Sequence, residues 1–299
     1  MVLNVFSQLD AIRSKWALVL HVERPMAPLF YETVTRSGAS PSRWLALTHG
    51  IFGTGGNWRS IARKFVEAAP GWGAVLIDLR GHGKSSAGPG PHTLAACAHD
   101  LAATFAELAS AGMPVHALSA HSFGGKAALA LSAIDSDALP VHRFILDSTP
   151  SARPHAWEVP LHTVPKVLAL LESLPTTWPS RDAFVAAVVA AGQPLAIAQW
   201  LGLSVQRDSD VYQLQLNLPV IRALLDDYFA RDMWTSLDDA RAAIDFIVAS
   251  RGNTLSEADV ARLTTAPSHV HTVTLDAGHW LHVDAPSTVV AHLVARLAT

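Results

Sequence analysis

The sequence has one cysteine, Cys97, and few charged residues, 16% of 299. One thiol cannot close an internal disulfide or build an all-cysteine zinc site. A reducing compartment suits that usage, and a cytoplasmic protein is the expectation. Cationic excess is missing as well. The 22 Lys+Arg against 25 Asp+Glu leave a net charge of −3, so the overall charge gives no reason to expect nucleic acid or anionic lipid as a partner. Long hydrophobic runs are also lacking. Trp16–Val22 is apolar, but Glu23-Arg24-Pro25 follows it instead of a small-residue cleavage site, which argues against a signal peptide. Ala183–Leu203 has the length of a bilayer span, yet Gly192-Gln193-Pro194 breaks it. Two short amphipathic helices are expected there, with no stable membrane insertion. No internal repeat and no low-complexity tract occur. Half the residues are hydrophobic, enough for a large core and incompatible with a disordered chain.

The length suits an α/β domain with an inserted subdomain. From Tyr31 to Ser148, short β-rich runs alternate with glycine turns and alanine-rich helical stretches. The runs are Tyr31–Thr35, Trp44–Thr48, Ala74–Leu79, Val115–Ala120 and His142–Asp147. The helical stretches are Trp58–Ala69, Thr93–Ala111 and Phe123–Ile134. Strand–helix–strand order predicts a doubly wound, mostly parallel sheet. Runs such as Val75-Leu76-Ile77 and Phe144-Ile145-Leu146 are apolar without alternation, as strands buried on both faces are. Prolines and the tryptophans Trp157, Trp178, Trp200 and Trp234 then mark a non-alternating stretch. The β/α pattern resumes with a strand over Ile244–Ala249, a helix over Glu257–Thr264, a strand over Val270–Leu275 and a helix over Ser287–Leu297. The expected organisation is an extension over residues 1–30, a core over 31–149 and 241–299, and an inserted helical cap over 150–240.

Ala120-His121-Ser122-Phe123-Gly124-Gly125 lies between a predicted strand and a predicted helix. A sharp strand-to-helix turn there projects Ser122 above the sheet edge, and small flanking residues are needed because backbone and helix crowd it. Ala120 stands where this pattern usually has glycine. His49-Gly50-Ile51-Phe52-Gly53 ends another strand and can aim a backbone N–H at the same point. With Phe123 N–H it would form an oxyanion hole, the second donor being Ile51 or Phe52. His279 follows the last predicted strand, where parallel sheets bind their ligands, and stands out among 15 histidines by that position. Asp147 ends the strand after the elbow helix. The strand end Phe246–Asn253 offers no carboxylate, and Glu257 and Asp259 read as first-turn helix acids, so Asp147 is the expected acid.

These pieces resemble the α/β-hydrolase superfamily from about Tyr31 to the end, in particular its small serine esterases with a short helical cap. The resemblance is carried by the H-G-[LI]-F-G loop followed by Asn57-Trp58 and by Asp78-Leu79-Arg80-Gly81-His82-Gly83-Lys84-Ser85. The remaining motifs are the H-S-x-G-G-K elbow at His121–Lys126, Asp147 with Pro150, and Gly278-His279-Trp280-Leu281-His282. It implies acyl transfer to water by Ser122, His279 and Asp147 on a small-molecule ester, without a cofactor or metal; the tryptophan and alanine content of the expected cap suggests an apolar acyl or alcohol group. Trp58, His121, Trp157, Trp200 and Trp280 are expected to shape the substrate pocket, and His282 to be structural. Thioesterase, acyltransferase or cofactor-free perhydrolase chemistry on the same triad is an alternative, as is a non-catalytic ligand-binding protein on this fold. Asp at the elbow would point to epoxide hydrolase or dehalogenase chemistry, and Ser122 argues against both. An apolar cap face would suit a homodimer. Phosphate-loop and dinucleotide fingerprints fail on their glycine spacing, at Asp78, Ala120 and Trp58. His269 and His271 share a strand face but lack a third ligand.

Overall fold

Among the described residues, seven strands form the main sheet: β1 (Tyr31–Val34), β2 (Arg43–Thr48), β3 (Trp72–Ile77), β4 (Val115–His121), β5 (His142–Leu146), β9 (Ala243–Ala249) and β10 (Val270–Leu275). This is a computed structural model, and it describes residues 28–85, 87–159, 163–238 and 241–298. The apolar run Trp16–Val22 and nearly all of the expected extension over residues 1–30 lie outside the described residues. The strand order is β1-β3-β2-β4-β5-β9-β10. Only β1 runs antiparallel, against β3. The architecture is thus the expected doubly wound, mostly parallel one.

The chain moves from β2 outward to β3, then returns to the other side of β2 as β4. The loops leaving β2 and β4 therefore diverge at a switch point, where such sheets open a crevice at their carboxyl ends. Both strand faces are covered. Leu45, Leu47, Ala74 and Leu76 join one apolar core with Ile61, Phe65 and Val66 of α1 (Arg59–Ala68) and with Val289 and Leu293 of α8 (Pro286–Leu297). Ala46, Val75 and Ile77 join the other with Leu101, Phe105 and Leu108 of α2 (Leu94–Ser110). Consecutive residues thus feed opposite cores, which explains the continuous apolar runs. In α1 the buried residues recur at helical spacing, leaving Arg59, Arg63, Lys64 and Glu67 on the solvent face.

Between β5 and β9 come α4 (Thr163–Ser173), β6 (Thr177–Trp178), α5 (Arg181–Ala190), α6 (Leu195–Gly202), β7 (Val205–Asp208), β8 (Val211–Leu214) and α7 (Leu218–Ala230). The two short helices expected over Ala183–Leu203 are α5 and α6. Among the described residues no helix is long and apolar enough to cross a membrane. This segment is not purely helical, because β6, β8 and β7 form a small antiparallel sheet. Its strands are two to four residues long, and Gln206, Arg207 and Asp208 are exposed, so no apolar alternation marks them. Leu168, Leu171, Phe184, Ile221 and Leu224 extend the core on the α2 face. Lys126, in α3 (Phe123–Ala130), is fully buried and ties the parts together. Its Nζ donates to Ser151 O at 2.9 Å and to Tyr228 O at 2.8 Å, while burial pulls its ammonium down to about 8.

Candidate active site

Ser122 sits between β4 and α3 with φ 53° and ψ −118°. A non-glycine residue there is strained, and the surroundings hold it in place. Ser122 N–H donates to Leu146 O at 2.9 Å. Gly124 faces the β2 end so closely that a Cβ would lie 2.6 Å from His49 O, which is why a side chain is not tolerated. The methyl of Ala120, the departure from glycine, is absorbed in the core on the α2 face. The elbow expected from sequence is therefore present as backbone geometry.

His279 Nε2 lies 3.1 Å from Ser122 Oγ, and His279 Nδ1 lies 2.7 Å from Asp147 Oδ2. Asp147 is buried and sits just past β5 at φ 42°. Its Oδ1 accepts from Ala249 N–H of β9 at 3.2 Å, so the carboxylate is held from two strands. Thr254 Oγ1 also reaches His279 Nδ1, at 2.9 Å. Thr254, just past the carboxylate-free strand end Phe246–Asn253, carries no sequence signal of this contact. Asp259 is a helix acid, as expected. It forms a capping box with Ser256 and accepts from Thr149 Oγ1 at 3.0 Å.

The two loop donors are told apart by their partners. Phe52 N–H is taken by His82 Nε2 at 3.3 Å. Among the described residues no hydrogen bond engages Ile51 N–H or Phe123 N–H. These two donors are free at the switch point. Gly50, beside Ile51, is packed so that a Cβ would lie 3.1 Å from Ser122 Cβ.

The loop after β3 is a clamp for this arrangement. The chain leaves the strand at Ile77, earlier than the Leu79 expected, because Asp78 turns to accept Gly55 N–H at 2.7 Å and Lys84 N–H at 2.9 Å. Arg80 grips Asp100 of α2 with two bonds of 2.5 and 2.9 Å.

Three buried imidazoles, His49, His82 and His121, and the half-buried His282 surround the site in neutral form. His49 Nδ1–H donates to Gly50 O at 2.8 Å, and its Nε2 accepts Leu79 N–H at 3.0 Å. His82 Nδ1–H donates to Arg80 O at 2.9 Å while Nε2 accepts from Phe52. An imidazole accepting a backbone N–H must keep that nitrogen bare. Burial holds His49 down to about 4, and burial with the nearby His49 holds His82 down to about 3. Burial, then the neighbouring His279, lowers His282 to about 4 and His121 well below its usual range. The unfolded chain, with histidines near 6.5, binds more protons than the folded one below that pH. The folded state is fully favoured above about 6.5 and loses stability as pH falls toward about 4. Tm is expected to be flat above pH 7 and to drop steadily from pH 6.5 to 4 in a thermal melt series. A flat Tm down to pH 4 would refute the neutral cluster.

The expected pocket residues divide. Trp58, His121, Trp200 and Trp280 line one narrow cleft together with His49, Gly50 and His282. Trp200 and Trp280 pack at a tilt of 40° with centroids 5.5 Å apart, and Phe52 meets Trp200 edge-on at 6.4 Å. Trp58 is fully buried and its ring packs 4.5 Å from that of His282. His121 offers the cleft only a ring, since its Nε2–H is spent on His279 O at 2.8 Å. Trp157 does not belong to the cleft. It packs edge-on against Phe229 at 5.6 Å and under Arg222 at 5.2 Å. A tryptophan in the segment after β5 can bury itself there as readily as face the sheet. His271 is exposed and His269 Nε2 bonds Leu237 O at 2.8 Å. Among the described residues no group of three or more His, Cys, Asp or Glu is placed to hold a metal ion.

Similar proteins agree with the architecture. The chain is 25% identical to the sn-1-specific diacylglycerol lipase ABHD11 of Xenopus tropicalis, over 83% of this chain and 75% of that protein. It is also 25% identical to the Danio rerio protein of the same name, over 87% and 80%. Among solved structures, a marine microorganism esterase superposes with a TM-score of 0.72 at 20% identity, over 90% of this chain and 98% of that one. An M. tuberculosis esterase superposes with a TM-score of 0.65 at 22% identity, over 91% and 93%. The family described as "Alpha/beta hydrolase family" matches residues 45–293. With its sheet order, its strained serine turn and a family match across most of its length, the chain belongs to the alpha/beta hydrolase family.

Proposed function

We propose that the protein is a serine esterase that cleaves carboxylic esters with an apolar moiety through an acyl-enzyme. The observation that carries this is the position of His279, whose two ring nitrogens lie within hydrogen-bond reach of Ser122 Oγ and Asp147. A serine hydroxyl is a weak nucleophile until a base takes its proton. Asp147 accepts from Nδ1–H and so leaves Nε2 bare to accept that proton. As Ser122 Oγ attacks the ester carbonyl, His279 becomes an imidazolium beside the Asp147 carboxylate. It then returns the proton to the leaving alkoxide. Water repeats the sequence on the acyl-enzyme and releases the acid. The free N–H groups of Ile51 and Phe123 meet the developing oxyanion, a contribution of about 3–4 kcal/mol per donor. Phe52, whose N–H already serves His82, is left out of that role. The segment between β5 and β9 acts as the cap, and Trp200 and Trp280 give the substrate an apolar wall.

The test is rapid-mix hydrolysis of p-nitrophenyl acetate, butyrate and octanoate, with intact-mass detection of the acylated protein. A burst of p-nitrophenol and an acyl mass mapped to Ser122 are expected, with butyrate or octanoate preferred over acetate. No burst and no adduct with any ester would overturn the reading. A monotonic fall from acetate would overturn the apolar wall.

A further inference from the structure

Beside the narrow cleft against the serine side lies a second cavity of about 580 Å³. Asn57, Trp200 and His282 line both, so the two adjoin. The cleft end is set by Gly50 and His121, which adjoin Ser122. Along the outer cavity the wall is apolar: Trp200, then Leu203 at 44% and Val283 at 63% exposure. Its far rim is the solvent face of α1, with Arg59, Arg63 and Lys64. Among the described residues no carboxylate lines this cavity. Arg59 is committed to Glu32, and Glu67 pairs with Arg36. Arg63 and Lys64 make no ion pair among the described residues. They stand as two neighbouring cations beside the apolar wall, with no carboxylate of the cavity to pair with. A neighbouring cavity of about 270 Å³ also has cations, Lys84 and Arg181, but Glu32 and Asp78 line it too.

We infer that cleft and cavity together form a channel that selects amphipathic esters whose apolar part crosses Trp200, Leu203 and Val283 and ends in an anionic group bound by Arg63 and Lys64. The inference rests on the esterase reading, because it places the ester at Ser122. An apolar wall alone would accept any hydrocarbon of suitable length. A terminal carboxylate or phosphate adds charge-assisted bonds to flexible cations, which favours one class over its neutral isosteres. The cations lie in solvent, so the selection weakens as salt rises.

The experiment compares soluble esters below their micellar concentration. One series is p-nitrophenyl esters of straight acyl chains of four to ten carbons, with and without a terminal carboxylate. The other is butyrate esters of ω-hydroxy acids and of the matching alkanols. The wild type is expected to favour the anionic member in one series by roughly tenfold in kcat/KM at low salt, through KM, as about 1.4 kcal/mol of charge pairing requires. Arg63→Ala with Lys64→Ala should abolish that ratio. Arg63→Lys with Lys64→Arg should restore most of it, which a general loss of folding would not. An anionic-to-neutral ratio near one in both series, or one unchanged in the double alanine variant, overturns the inference. A preference that appears only with anionic vesicles present also overturns it. Covalent labelling of Ser122 by a fluorophosphonate, run on the same samples, separates the two failures. Labelling without charge preference defeats the channel reading alone, while no labelling defeats the esterase reading itself.

Discussion

Ser122→Ala is expected to lower kcat for p-nitrophenyl butyrate by about 10⁵–10⁶-fold, the largest effect of any single change in this protein. That corresponds to about 7–8 kcal/mol of barrier. The loss is large because the hydroxyl is one of two groups that act only together. Without Oγ, His279 Nε2 has no proton to take, and the hydrogen bond of 3.1 Å has no donor. What survives is the pair of free N–H groups at Ile51 and Phe123, which still polarise a bound ester and leave a residual rate over water. The fold should not suffer. Alanine removes one oxygen, and the turn at φ 53° is held by the Ser122 N–H bond to Leu146 O and by the crowding around Gly124, neither of which uses the side chain. The check is steady-state kcat on protein whose melting curve matches wild type. A variant that keeps a tenth of the activity would remove Ser122 from the mechanism.

That prediction could be framed from sequence because the elbow is local. Strand, turn and helix within Val115–Ala130 dictate where Ser122 points, and close packing at Gly124 explains the glycine. The sheet was legible for the same reason, since its buried strands are continuous apolar runs bounded by glycine turns. What was not legible depends on partners far along the chain. The choice between Ile51 and Phe52 rests on His82, thirty residues on from Phe52, taking one N–H. Thr254 reaches His279 only through folding, 25 residues away, and a threonine after a strand end carries no signal of that. His121 lines the cleft as expected, but the bond of its Nε2–H to the backbone of His279, 158 residues on, carries no sequence signal. Tryptophan content said that a wall exists but not which rings form it, hence the misplacement of Trp157. The strands β6 to β8 were missed because a polar hairpin of this length has neither the alternation nor the glycine turn that marks a strand pair.

Asp147→Asn is the second large effect, expected to lower kcat by about 10⁴-fold with little change in size or packing. The carboxylate accepts on both oxygens, from His279 Nδ1–H at 2.7 Å and from Ala249 N–H at 3.2 Å. Asparagine can keep only one of these as an acceptor. The Ala249 bond requires the amide oxygen there, which turns the NH₂ toward His279. Nδ1 must then accept, the proton moves to Nε2, and Nε2 can no longer take the Ser122 proton. Thr254 does not rescue the tautomer, because its hydroxyl can donate to Nδ1 as well as accept from it. Room for a shift is lacking, since even a Cβ on Gly252 would come within 2.8 Å of Asp147 Oδ2. The imidazolium that forms in the transition state also loses its counter-charge. The measurement is kcat for the burst phase, with the His279 ring tautomer read by nitrogen NMR in wild type and variant. A kcat within tenfold of wild type would move the acid elsewhere, to a group outside the contact made by Asp147. A large loss with the Nδ1–H tautomer retained would assign Asp147 to charge stabilisation alone.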